Sequence, residues 1–303
     1  MTTFPETASI REVGPRDGLQ TEKPLDPSDR ADLITSLVDT GIMNIEAVSF
    51  VSPKAVPSMA DPTAVLARLN LPPDVTVTAL VPNKRGAEMA LQTGIDALTM
   101  TISVSETYNQ RNVHMSTTES LEQVHAVCDL IAENTSGDRT VPVDGVISCA
   151  FGSPYEGDIP PSDVANLCKW LRDAGVASIT LADTTGMGTP RVLEDVLEAT
   201  GAGVGLHLHD TRGTGLLNLY AALRAGVVRF DTSIGGLGGS PFAEGAGGNV
   251  ATEDAVALLD DLGVTTGIDL FKLMAVSKQL EQLIGRPVPS RIAHAGPRMP
   301  IRP

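Results

Sequence analysis

Three separated patches of this chain hold residue types that can do chemistry together. Gly14-Pro15-Arg16-Asp17-Gly18-Leu19-Gln20 sets a carboxylate beside a guanidinium. His207-Leu208-His209-Asp210 offers two imidazoles two residues apart. Gly235 to Asn249 is a glycine-rich run that reads as too flexible to be chosen for packing. Together they spell a divalent-metal site, a cation for developing negative charge, and a lid. The chemistry they suggest is making or breaking a carbon–carbon bond beside a carbonyl.

In a strand, period two puts His207 and His209 on one face, here expected to be a barrel interior. Asp17 is expected to end the first strand. In a closed barrel strands one and seven both flank strand eight, so Asp17 can approach the pair. Two imidazoles plus oxygen ligands, with no thiolate, do not suggest structural zinc. A mixed nitrogen and oxygen set with open positions suits Mg²⁺ or Mn²⁺, and Co²⁺ also fits. Asn249 is the natural amide ligand from the glycine-rich segment. Arg16 is read as a fixed cation aimed at an oxygen that becomes negative. Glu46, in the apolar stretch Asn-Ile-Glu-Ala-Val-Ser-Phe, needs a partner if buried, and Arg16 is the expected one. The bland alternatives are a polar pair in a barrel core and a structural salt bridge.

These residues need a frame. Strand patterns run over Ser9–Val13, Asn44–Phe50, Val75–Val81, Ala97–Ser103, Val141–Ser148, Ser178–Asp183, Gly205–Asp210 and Arg229–Ile234. Amphipathic stretches separate them: Ser28–Thr40 with Ser28 as N-cap, Arg85–Gln92, Thr118–Asn134, a helix from Pro161, another from Thr189-Pro190, Thr214–Ala225 and Thr252–Leu262. This is the pattern of a (β/α)₈ TIM barrel. One domain is expected over 1–303, with an extra C-terminal helix over Ile268–Ile284. The competing open sheet lacks a Gly-x-Gly-x-x-Gly after its first strand. The basic, proline-rich tail, Arg291–Pro303, is expected to be loosely ordered.

A net charge of −15 argues against nucleic acid or an anionic membrane as partner. Aromatic residues make up only 3% of the chain, so branched aliphatic side chains must build the core. Cys128, Cys149 and Cys168 form no Cys-x-x-Cys pair and read as reduced thiols. With no basic, apolar start and no long apolar run, the chain is expected to be soluble and cytoplasmic.

The motifs resemble the 3-hydroxy-3-methylglutaryl-CoA (HMG-CoA) lyase family, in the metal-dependent barrel superfamily that includes isopropylmalate synthase. The resemblance runs from Glu12-Val13-Gly14-Pro15-Arg16-Asp17-Gly18-Leu19-Gln20 through Ile45-Glu46-Ala47-Val48-Ser49-Phe50. It continues in Ser153-Pro154-Tyr155-Glu156-Gly157 and Asp183-Thr184-Thr185-Gly186. It ends with Gly248-Asn249-Val250-Ala251-Thr252-Glu253-Asp254. It implies Asp17, His207, His209 and Asn249 as metal ligands, Arg16 as the cation for a thioester enolate, and Glu46 as its orienting partner. It also implies Asp183 near the reacting carbons and His207 as a proton-transfer group. Gln20 and Ser49 join Arg16 as expected substrate-binding residues. The implied substrate is an acyl-CoA. Barrels of this kind commonly pair, which makes a homodimer an expectation.

One departure matters. Ser240 stands where the family's lid has a catalytic cysteine, and a serine hydroxyl is a far weaker acid than a thiol of pKa ~8.5. Ser153 stands where a second cysteine is expected. The frame thus admits HMG-CoA as substrate, a related 3-hydroxyacyl-CoA such as citramalyl-CoA, or, remotely, a barrel that no longer catalyses. If HMG-CoA is the substrate, Ser240→Cys will raise its turnover in an acetyl-CoA release assay; no gain, beside strong activity on another thioester, selects the second reading.

Overall fold

The computed structural model describes residues 4–134, 140–239 and 247–298. Eight parallel strands close into a barrel in sequence order, β1 through β8, with β1 paired to β8. Along the chain the elements are β1 (Ser9–Glu12), α1 (Pro27–Val38), β2 (Asn44–Ser49), α2 (Pro62–Leu66), β3 (Thr76–Leu80), α3 (Lys84–Leu91), β4 (Ala97–Ser103), α4 (Glu106–Val113), α5 (Thr117–Asn134), β5 (Val143–Ser148), α6 (Pro161–Asp173), β6 (Ser178–Ala182), α7 (Pro190–Thr200), β7 (Gly205–His207), α8 (Gly215–Arg224), β8 (Arg229–Thr232), α9 (Thr252–Asp261), α10 (Leu270–Ile284) and α11 (Arg291–Ala295). The expected (β/α)₈ TIM barrel and its extra helix, α10, are both present.

The physical reasons are local. Ile45, Ala47, Val48, Leu98, Ile102, Ile147, Leu181 and Leu206 are fully buried, as strands covered on both faces require. The helices start where polar caps or prolines stand. Thr189 accepts from the Val192 amide ahead of Pro190, and Asp269 accepts from the Phe271 and Lys272 amides. Each cap satisfies donors that the helix leaves orphaned.

Four expectations are corrected. Helix α1 starts at Pro27 with Asp26 as N-cap, not at Ser28, because proline has no amide to lose at the first helical position. The tail folds as far as α11, capped by the Ser290 hydroxyl on the Ala293 amide. Strand β7 ends at His207, and His209 instead bridges Asn249 in antiparallel fashion. Strand β1 ends at Glu12, so Asp17 lies beyond it in a tight turn. The Arg16, Asp17 and Gly18 amides all point at the Val13 carbonyl, at 3.1, 2.6 and 3.3 Å.

No helix among the described residues is long and apolar enough to cross a membrane.

Candidate metal centre at the C-terminal end of the barrel

Closure of the ring sets the site. Pairing of β1 with β8 aligns Glu12 with Thr232, and pairing of β7 with β8 aligns His207 with Asp231. Asp17 therefore reaches His207 across the mouth of the barrel, with its Oδ2 3.8 Å from Nε2. His207 Nε2 and His209 Nε2 face each other at 3.3 Å. Asp17, His207 and His209 present ligand atoms that all lie within 4.8 Å of one another. The Asn249 amide donates to Asp17 Oδ2 at 2.7 Å and to the Leu237 carbonyl at 2.9 Å. Its Oδ1 is buried with no partner.

The ring protons follow from the neighbours. His207 Nδ1 lies 3.2 Å from Asp231 Oδ2, and His209 Nδ1 lies 3.1 Å from the Gly247 carbonyl. Both neighbours only accept, so both Nδ1 atoms carry a proton and both Nε2 lone pairs turn to the same point. Burial disfavours a charge on either ring. At His207 the Asp231 hydrogen bond and the Asp17 charge outweigh burial and raise its pKa. At His209 burial and the neighbouring His207 push the pKa down to about 4. Asp17 sits below the usual carboxylate range, because Arg16 and then the two histidines outweigh its burial.

The donor set fits a divalent cation. Two imidazole nitrogens and one carboxylate converge, and beside them Asn249 keeps a buried amide oxygen without a partner, which costs about 1–3 kcal/mol. Charge agrees. The ion-paired network inside the barrel joins two guanidiniums, Arg11 and Arg16, to the carboxylates of Asp17, Glu46, Asp144 and Asp231. That leaves an excess of two negative charges, which a divalent ion neutralises.

Arg16 is held on both sides. Its Nε donates to Glu46 Oε2 at 2.5 Å and its Nη1 to Asp17 Oδ1 at 2.6 Å. Asp183 follows β6, with its Oδ1 taking the Gly188 amide at 3.0 Å and its Oδ2 buried without a partner. Burial pushes its pKa up to about 6. Ser49 is buried at the end of β2, and Gln20 is half-buried in the 3-10 turn after Asp17. No hydrogen bond among the described residues ties the Ser49 or Gln20 side chain to the cluster. Ser240 lies outside the described residues. Ser153 is fully buried, 2.9 Å from the Ser105 hydroxyl, and donates to Glu156. Two groups that the sequence reading passed over orient the rings: Asp231 and the Gly247 carbonyl. Asp231 carried the same signal as Glu46, a carboxylate within a strand that must be paired if buried.

A family model described as HMGL-like matches residues 7–280. The chain belongs to the HMGL-like family. It is 41% identical over 294 residues to "Hydroxymethylglutaryl-CoA lyase YngG" of Bacillus subtilis, covering 95% of this chain and 97% of that protein. It is 40% identical to a Pseudomonas aeruginosa protein named as a lyase of 3-hydroxy-3-isohexenylglutaryl-CoA and hydroxymethylglutaryl-CoA, over 96% of this chain and 98% of that one. A solved HMG-CoA lyase from Acinetobacter baumannii, in complex with coenzyme A and 3-methylmalate, superposes with a TM-score of 0.92 at 38% identity. That match covers 100% of this chain and 99% of the other.

In this HMGL-like chain the glycine run differs from its expected role. Gly235 to Leu237 are buried. A Cβ on Gly235 would meet Val288 at 2.6 Å, and one on Gly248 would meet the Gly236 carbonyl at 1.9 Å. These glycines are chosen for packing after all, since the Val288 side chain or the neighbouring backbone lies where a Cβ would be. Of the run expected to act as a lid, Gly235 to Asn249, residues 240–246 fall outside the described residues. Gly238 has φ +117°, and its Cβ would meet Asn249 Nδ2 at 2.4 Å and Asp17 Oδ2 at 3.2 Å. Gly238→Ala will weaken Mn²⁺ binding in a calorimetric titration and lower stability by about 1–3 kcal/mol in urea. Unchanged Mn²⁺ affinity would show that Asn249 and Asp17 do not need their present places.

Proposed function

We propose that this chain is a lyase that cleaves HMG-CoA to acetyl-CoA and acetoacetate by a retro-Claisen route. The observation that carries the reading is Arg16, a guanidinium fixed by two carboxylates beside the convergent Asp17, His207 and His209 atoms. The HMG-CoA lyase relatives over nearly the whole chain support the substrate. Asp17, His207, His209 and Asn249 would hold the cation; the mixed donor set favours Mg²⁺ or Mn²⁺, with Co²⁺ also compatible. A bound divalent ion would supply Lewis-acid polarisation of substrate oxygens.

The chain's own residues do the rest. Both nitrogens of His207 are committed, one to Asp231 and one to the His209 side. Among the described residues Glu46 and Asp183 each keep a buried carboxylate oxygen without a partner, and Glu46 is ion-paired to Arg16, which favours Asp183 as the base. Asp183 takes the proton of the substrate's C3 hydroxyl. The hydroxyl oxygen becomes the ketone of acetoacetate, the C2–C3 bond breaks, and its electron pair moves to C2 and the thioester carbonyl. Arg16 donates to that oxygen as it gains charge, and does so at no orienting cost because Glu46 and Asp17 already hold it. A proton then returns to C2 to give acetyl-CoA.

A related 3-hydroxyacyl-CoA is the second reading. Ser240, in place of the lid cysteine, motivates it, and the doubly named Pseudomonas relative shows that the family includes a protein named for more than one such substrate.

The first test is acetyl-CoA release from HMG-CoA with Mg²⁺ or Mn²⁺, with chelator and His207→Ala as controls. Turnover that chelator removes, that metal restores and that His207→Ala abolishes supports the reading. No turnover with metal bound moves the substrate to another 3-hydroxyacyl-CoA. A base of pKa about 6 is active only when deprotonated, so kcat will fall as pH drops below about 6. Asp183→Asn will lower kcat by about 10²–10⁴-fold and abolish that limb. A limb that persists in the variant assigns the base elsewhere.

A further inference from the structure

Behind the metal ligands a chain of buried charge runs down the barrel interior to its N-terminal end. Asp231 Oδ2 takes the His207 Nδ1 contact at 3.2 Å. Arg11 grips the same carboxylate with two parallel bonds, Nε to Oδ1 at 2.8 Å and Nη2 to Oδ2 at 2.7 Å. The other side of Arg11 Nη2 lies 2.9 Å from Asp144 Oδ2. Asp144 in turn accepts from the Ser178 hydroxyl at 2.5 Å and the Thr180 hydroxyl at 2.9 Å. Five strands thus supply one connected line from a metal-facing imidazole to the opposite mouth of the barrel, where a cavity of about 160 Å³ lies beside Arg11 and Asp144.

A barrel core gains nothing in packing from such a line. Buried ion pairs are often no more stable than apolar residues of the same volume. The line does have a use at its upper end. A carboxylate on Nδ1 of a ligating histidine fixes the ring's tautomer and plane, and losing it typically weakens metal binding about 10–100-fold. The two-pronged Arg11 contact fixes the plane of the Asp231 carboxylate in turn, as a lysine could not.

We infer that Asp231 and Arg11 are positioning residues for the cation, with Asp231 orienting His207 and Arg11 orienting Asp231 from the N-terminal end of the barrel. This deepens the metal reading above and rests on it. His209 has only a backbone carbonyl on its Nδ1, so its orientation does not depend on this line.

The test uses the full chain stripped of metal, with two readouts. One is the Mn²⁺ dissociation constant by calorimetry. The other is the ring-nitrogen NMR spectrum of labelled histidine in the apo protein. Asp231→Asn is expected to raise the dissociation constant by about 10–100-fold and to release His207, but not His209, from its single Nδ1–H tautomer. Arg11→Lys keeps the charge and has the cavity beside it, so it folds even if Asp231→Asn does not; it is expected to shift both readouts in the same direction by less. Unchanged affinity and tautomer in a folded variant would overturn the inference and leave the line a structural salt bridge. If the wild-type protein binds no Mn²⁺ the metal reading falls, and the apo spectrum alone still decides whether Asp231 sets the tautomer.

Discussion

Two imidazole nitrogens that face each other at 3.3 Å inside a protein are unstable company unless something positive lies between them. Much of the site follows from that constraint. Each ring is turned inward by an acceptor on its far side, Asp231 for His207 and the Gly247 carbonyl for His209. Asp17 lowers the potential at the gap, and Asn249 contributes an oxygen with no other partner. A proton fills the gap poorly, because it satisfies only the two nitrogens. A divalent ion would satisfy all four groups and cancel the excess negative charge of the network.

The same economy explains why backbone crowds this end of the barrel. Asn249 must be close enough for its amide to reach both Asp17 and the Leu237 carbonyl. That is possible only where the exit of β8 and the segment before α9 lie in contact, and only glycine allows it at Gly238 and Gly248. Buried carboxylates hold the same backbone from behind. Glu12 accepts the Gly14 and Ile234 amides, and Glu253 accepts the Gly235 amide. Rigidity here serves geometry, since a ligand set displaced by an ångström loses much of its affinity and rate.

Much of this was legible in the residues. All eight strands and the ring order could be read from alternating β-branched runs and capped amphipathic stretches. The Arg16–Glu46 pair followed from the rule that a buried carboxylate needs a partner. The approach of Asp17 to the histidines followed from ring closure. What escaped reading depended on contacts across the closed ring. Asp231 and Arg11 lie 220 positions apart, and neither Arg-Phe-Asp-Thr nor Ser-Ile-Arg-Glu shows its partner locally. Helix α4 escaped because its sequence, ETYNQRNV, is almost wholly polar, although Ser105 caps it and marks its start. The glycine run was misread because sequence cannot distinguish a glycine that lets chain move from one that lets chain touch chain.

Ring closure also dictates the order in which this protein can be made. Its first strand leaves the ribosome well before its ring neighbour, the eighth. At about 5–20 residues per second, some 220 residues of synthesis correspond to roughly 10–40 seconds during which β1 has no β8 to pair with. An open strand edge is an invitation to wrong partners. Here the edge is only four residues long, Ser9 to Glu12, and carries Arg11 and Glu12. Arg11, which later grips Asp231 from below, would thus also guard the nascent chain, as an exposed charge on a short edge.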